Sequence, residues 1–201
     1  TRLVGDAEYS IQLGDFGFDY SVLDNYNKDR HKVLRGNHDN YDVSHPNLLD
    51  DFGTLTLGPF SNIFFVRGGH SIDREYRLTD EARTGYKSWW EEEELTYQQG
   101  LNCIEAYKKA KPDLVISHSC PASVSRIIGN PDILRHWGYA PHWSSSTQQL
   151  LQIMYEEWKP KLWCFGHMHM DKDFYTGDTR FVCVNQYCAV DIDKDLNVFS
   201  V

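Results

Sequence analysis

Four short apolar runs, far apart in the chain, each stop at a polar cluster able to bind a metal or move a proton. Residues 9–13 lead into Gly14-Asp15, and residues 32–34 into Arg35-Gly36-Asn37-His38-Asp39. Residues 114–117 lead into His118, and residues 162–165 into Gly166-His167-Met168-His169. Apolar runs of this length read as strands of a buried sheet. Open α/β sheets bind ligands outside the carboxyl ends of their strands, so the four ends can converge without any long loop. Few architectures satisfy that demand, and an α/β domain of strand–loop–helix units is the one expected.

The rest of the chain completes this reading. Residues 62–66 and 180–184 are two further strands. Residues 189–192 and 198–201, around the turn at 193–197, predict a closing hairpin, so the sheet is not purely parallel. Residues 96–109 predict a helix with Leu101, Ile104 and Tyr107 on one face and Pro112 just beyond its end. Residues 146–158 predict a second, starting in a Ser/Thr cluster suited to capping, packing through Leu150, Leu151, Met154 and Trp158, and stopped by Pro160. No repeat, low-complexity segment or Pro/Gly linker divides the 201 residues, so residues 1–201 form a single domain.

A net charge of −9 argues against a nucleic-acid backbone or an anionic membrane as partner, although bound divalent cations would locally reverse that field and admit an anionic substrate. No apolar run approaches the roughly 20 residues a membrane span needs, and residues 1–8 lack the layout of a signal peptide. The five cysteines (Cys103, Cys120, Cys164, Cys183, Cys188) contain no C-x-x-C pair and read as reduced thiols of a cytoplasmic protein.

The candidate ligands at the strand ends, Asp15, Asn37, His118, His167 and His169, comprise one Asp, one Asn and three His. Mixed oxygen and imidazole donors suit Mn²⁺, Fe or Zn²⁺ better than Mg²⁺ or Ca²⁺, which want mostly oxygen. Glycine precedes the polar group at Gly14, Gly36 and Gly166, allowing the backbone to approach a metal or phosphate closely. Read as an extended segment, His167 and His169 lie two apart and point the same way. His31, His45, His136 and His142 read as structural or surface residues. A Cys120–His118 nucleophilic pair lacks a third, orienting group.

Gly14-Asp15, Gly36-Asn37-His38-Asp39, His118 and Gly166-His167-Met168-His169, in this order and each after a strand, resemble the signature of the calcineurin-like metallophosphoesterases. The resemblance implies that family's four-layer α/β sandwich, two mixed sheets flanked by helices, with two divalent metal ions. It further implies that Asp15 bridges the two metals, that Asn37, His118 and His167 complete one, and that His169 binds the other. His38 would be a general acid or charge stabiliser near the leaving group, with Asp39 orienting it. A hydroxide bridging the metals would attack a phosphomonoester or phosphodiester in line. The His167–Asp171 run is also similar to the HxHxDH cluster of metallo-β-lactamase-like hydrolases, but Lys172 stands where that pattern needs His.

Two blocks depart from the family pattern. The family opens with a strand ending in D-x-H; here Asp6-Ala7-Glu8 is the nearest candidate, with Glu for His and too close to Asp15 for a crossover helix. Residues 3–8 are therefore read as a loop, and the first strand and motif as lying outside the chain. A protein that has lost catalysis and serves as a binding or regulatory module, or a nuclease, are the competing readings. The run 34–39 is similar to the LRGNHE block of serine/threonine protein phosphatases, but where these carry GDxxDRG the chain has Gly14-Asp15 with no Arg and with Asp19 one place late. Arg35 is a candidate phosphate contact. Residues 67–74 with Trp89-Trp90 resemble small bacterial and phage-type members of the superfamily, which places His70, Asp73 and Arg74 at the substrate pocket. Glu91–Glu94 reads alternatively as a solvated helix start, with the tryptophans in the core.

Overall fold

The computed structural model describes residues 7–200. In chain order its elements are β1 (Ser10–Gln12), β2 (His31–Val33), β3 (Phe52–Leu57), β4 (Phe60–Val66), α1 (Arg74–Thr84), α2 (Tyr97–Ala110), β5 (Leu114–Ser117), α3 (Ala122–Ile128), α4 (Pro131–His136), α5 (Ser146–Glu157), β6 (Leu162–Phe165), β7 (Lys172–Thr176), β8 (Thr179–Cys183), β9 (Val190–Ile192) and β10 (Val198–Ser200). Residues 3–6 of the expected entry loop and residue 201 of the expected hairpin lie outside the described residues.

A six-stranded sheet in the order β3-β4-β5-β6-β8-β7 forms the centre. Its four inner strands are parallel, and β3 and β7 flank them antiparallel. Side chains of adjacent strand residues point to opposite faces, so the apolar runs supply two cores at once. Phe64, Val66, Val115, Trp163, Phe165 and Phe181 face one way, onto Cys103 and Tyr107 of α2, Val124 of α3 and Leu151 and Met154 of α5. Ile63, Phe65, Leu114, Ile116, Leu162 and Val182 face the other way, onto Ile11, Leu13 and Leu34 beside the parallel pair β1-β2 and onto Val190, Ile192 and Val198 of the β9-β10 hairpin. On the far side of β2, Val33 packs with Tyr20 and Leu23 from a 3-10 turn. Phe16, Val22 and Leu48 complete that cluster, and mixed sheets flanked by helices are thus present as expected.

Both expected helices carry full capping boxes, Thr96 with Gln99 and Ser145 with Gln148. Such caps satisfy orphan N–H groups that would otherwise cost on the order of 1 kcal/mol each. The helix α1 has no buried residue, so it lacks the apolar stripe that betrays a helix in sequence. Ion pairs such as Arg77–Asp73 brace it instead. Among the described residues no helix is long and apolar enough to cross a membrane.

Parallel pairing in register puts Val66, Ser117 and Phe165 at one level, so the segments after β4, β5 and β6 leave the sheet together. Backbone bonds continue beyond it, from Gly166 N to His118 O at 3.0 Å and from His118 N to Val66 O at 3.3 Å.

Candidate functional site

His118 joins the two sheets at their carboxyl ends. Its Nδ1 donates to the carbonyl of Leu13, past the end of β1, at 2.7 Å. In the neutral ring that bond puts the proton on Nδ1 and leaves Nε2 as a lone pair. Nε2 lies 3.0 Å from Asn37 Oδ1 and 3.4 Å from Asp15 Oδ1. The His167 ring is next to it, centroids 4.9 Å apart. Four of the five expected ligands, Asp15, Asn37, His118 and His167, are therefore gathered around the His118 ring.

Close packing at this point depends on glycine. A methyl group on Gly36 would sit 2.6 Å from both Asp15 N and His118 Cε1. One on Gly14 would sit 2.8 Å from Gly36 N and closer still to His118, and Gly14 has φ 102°. Asp15, His167 and His169 themselves occupy the left-handed region, with φ of 57°, 63° and 50°. Non-glycine residues pay strain there, and such strain gathers at functional sites. These angles correct the reading of 167–169 as extended. The backbone turns at both histidines, so alternation does not bring them together: His167 is half-buried beside His118, while His169 is exposed.

Burial disfavours the charged form of Asp15, but His118, His38, His167 and the N–H of His38 outweigh it and lower its pKa. Burial also pushes His167 down, reinforced by the neighbouring His118, so it remains a neutral donor. For His38, burial again lowers the pKa, against the pull of Asp15 and with the push of Arg77. His38 Nε2 accepts from Asn37 Nδ2 at 3.2 Å and from Arg77 Nη2 at 3.4 Å, and its buried Nδ1 has no partner.

Asp39 does not orient His38 here. Fully buried, it accepts from the N–H groups of Asp15, Gly17 and Gly36 at 2.8, 2.8 and 2.6 Å and from the Tyr20 hydroxyl at 3.2 Å. It ties the loop after β1 to the loop after β2. The contacts of Arg35 also lie away from the cluster, with Nη2 donating to Val43 O at 2.7 Å and the guanidinium 5.5 Å from the Tyr41 ring. His70 and Arg74 do line a cavity of about 260 Å³ with Trp89, Glu93 and Glu94. There His70 bonds Glu94 at 3.1 Å and Tyr139 at 2.9 Å, and Arg74 stacks on Trp89 at 4.5 Å. Asp73 pairs with Arg77 at 2.9 Å.

Three residues escaped the sequence reading. Arg77 reaches His38 from α1, whose helical nature was not legible. Ser71 and Glu93 are buried behind Asn37, and a run of four glutamates carries no cue as to which one goes inside. Burial raises the Glu93 pKa against the two bonds it accepts from Ser71. Cys120 is fully buried and its thiol is pushed well above the ordinary range by that burial, which removes it as a nucleophile.

Among the described residues no three His, Cys, Asp or Glu side chains form a metal-holding group by themselves. With Asn37 included, the donor set nevertheless fits a cation. The lone pair of His118 Nε2 faces two oxygen acceptors, Asn37 Oδ1 and Asp15 Oδ1, an arrangement that a positive ion between them would relieve.

No curated protein matches this chain. Among solved structures, a phosphopantetheinyl hydrolase from Mycobacterium tuberculosis is similar with a TM-score of 0.37 and 12% identity, over 77% of this chain and 69% of that one. The model of the calcineurin-like phosphoesterase family matches residues 4–171. That span holds all four strand ends gathered here, and the chain belongs to the calcineurin-like phosphoesterase family.

Proposed function

We propose that the chain is a metal-dependent hydrolase of phosphomonoesters or phosphodiesters, with two divalent ions of Mn, Fe or Zn. The observation that carries this reading is the His118 lone pair turned on two oxygen acceptors. Asp15, Asn37, His118 and His167 would hold one ion; Asp15 and His169 would contribute to the other. When bound, such cations activate water at neutral pH and offset charge on the phosphoryl oxygens.

The chain's own residues do the rest. Asp39 holds the Asp15 and Asn37 loops at a fixed separation through its backbone bonds. Arg77, beside His38 Nε2, is placed to receive a phosphate oxygen, a role expected in sequence of Arg35. His38 is the acid for the leaving group: the negative charge of an ester bound beside the buried ring favours its protonated form. His70 and Arg74 shape the adjoining cavity. Free thiols at all five cysteines fit a cytoplasmic setting, and the net charge of −9 disfavours a nucleic-acid substrate.

Chelation should abolish hydrolysis of chromogenic phosphate esters, and Mn²⁺ should restore it. His38→Ala should lower turnover about 10²-fold or more, the usual contribution of a general acid, with metal content retained, whereas His167→Ala should lower metal content itself. Hydrolysis that survives chelation undiminished would refute metal dependence. A chain that binds no metal and hydrolyses neither ester would instead be a binding module on the same fold.

A further inference from the structure

Behind Asn37 a line of buried polar groups runs away from the cluster. Asn37, Ser71 and Glu93 are 2%, 1% and 2% exposed. Asn37 Nδ2 lies 3.0 Å from Ser71 Oγ, which lies 2.5 Å from Glu93 Oε2. Ser71 N donates to Glu93 Oε1 at 2.9 Å, so the serine is clamped at both its backbone and its hydroxyl.

The direction of these bonds matters. A carboxamide can be turned over: one orientation offers oxygen to His118, the other offers NH₂. In the absence of a cation the second would suit the His118 lone pair better, because it places a donor against an acceptor. A carboxylate only accepts, so the single hydroxyl hydrogen of Ser71 goes to Glu93 and its lone pairs face Asn37. Asn37 must then present Nδ2 to Ser71, which leaves Oδ1 on the side of His118 and Asp15. The polarity set at Glu93 is passed through Ser71 to the amide.

We propose that Ser71 and Glu93 are positioning residues that hold the Asn37 amide with its oxygen toward the cluster, so that Asn37 is preset as a metal ligand. The inference rests on the reading of the cluster as a metal centre. Glu93→Gln puts an amide donor beside Ser71 Oγ and frees the hydroxyl hydrogen to meet Asn37 in the reverse sense. Ser71→Ala removes the acceptor altogether.

The test measures Mn²⁺ affinity of the full chain by calorimetric titration, with turnover followed as Mn²⁺ is raised. Glu93→Gln and Ser71→Ala should bind about 10–100-fold more weakly than wild type, the usual cost of losing an outer partner of a ligand. Excess Mn²⁺ should restore most of their turnover, since the ligands themselves remain. Thr179→Val, which deletes a buried bond to Pro160 O of 2.7 Å at the far end of β8, should bind as wild type does. Glu93→Gln is close to isosteric and carries the test should Ser71→Ala fail to fold. Affinity within threefold of wild type in folded Glu93→Gln overturns the proposal, as does an equal loss in Thr179→Val. If wild type itself binds no Mn²⁺, the metal centre fails first and the positioning role falls with it.

Discussion

Replacing Gly36 with alanine separates the cost to folding from the cost to the site. The added methyl group would lie 2.6 Å from Asp15 N and His118 Cε1, about 0.8 Å short of the 3.4 Å at which ordinary contact begins. Neither neighbour retreats easily. Asp15 N is bonded to Asp39 at 2.8 Å, and His118 is 1% exposed and tied to Leu13. Overpacking of this kind costs about 1–3 kcal/mol, which a folded domain survives. Metal ligation is less forgiving, because donor distances are held to about 0.2 Å. A displacement near 0.8 Å divided between Asp15 and His118 moves each by about 0.4 Å, twice that tolerance. Urea unfolding of Gly36→Ala should therefore show a cooperative transition destabilised by about 1–3 kcal/mol. After dialysis against Mn²⁺, mass spectrometry should find little bound metal, and ester hydrolysis should be close to background. A folded Gly36→Ala with wild-type metal content would show that Asp15 and His118 are not joint ligands.

Gly100→Ala should do the reverse. This glycine lies inside α2, its added methyl would meet Leu150 at an ordinary 3.7 Å, and unfolding should show a gain of about 0.5–1 kcal/mol. Glu94 predicts an acid-side loss of stability. Burial opposes its ionisation, but bonds from His70, Thr147 and Ser146 bring its pKa from 4.5 to about 2. A depressed folded value means that the stabilisation is complete above about pH 4.5 and is lost as pH falls toward 2. The lowering is equivalent to about 3 kcal/mol at most, reduced by solvent at a side chain 22% exposed. Urea unfolding followed across this window should show wild type losing its advantage over Glu94→Gln, and a constant difference would assign the pKa to another group.

The strands were legible where apolar residues run unbroken. β5 and β6 have the bounds expected from sequence, because four consecutive apolar or small residues have two buried faces to fill. The Ser/Thr cluster at residue 146 marked a helix start because capping is a local interaction. The edge strand β3, with Gly53 within it and polar residues between its apolar ones, and the solvated helix α1 carry no such signal. At the site, Asp15, Asn37, His118 and His167 could be read as candidates because each stands within four residues of a strand end. The roles of Asp39 and Arg35 could not, since both depend on loops whose course only the folded chain determines.

By itself the sequence determined the chemistry: which donors exist, that strands precede them, and that carboxylate, carboxamide and imidazole stand ready at separate strand ends. Tertiary structure alone decided how they are aimed. The capture of Asp39 by the N–H groups of Asp15 and Gly17 and the burial of one glutamate among four arise from contacts between residues distant in the chain. Periodicity and local propensity report only near neighbours along the backbone, and a hydrogen bond across 24 or 34 residues lies beyond them.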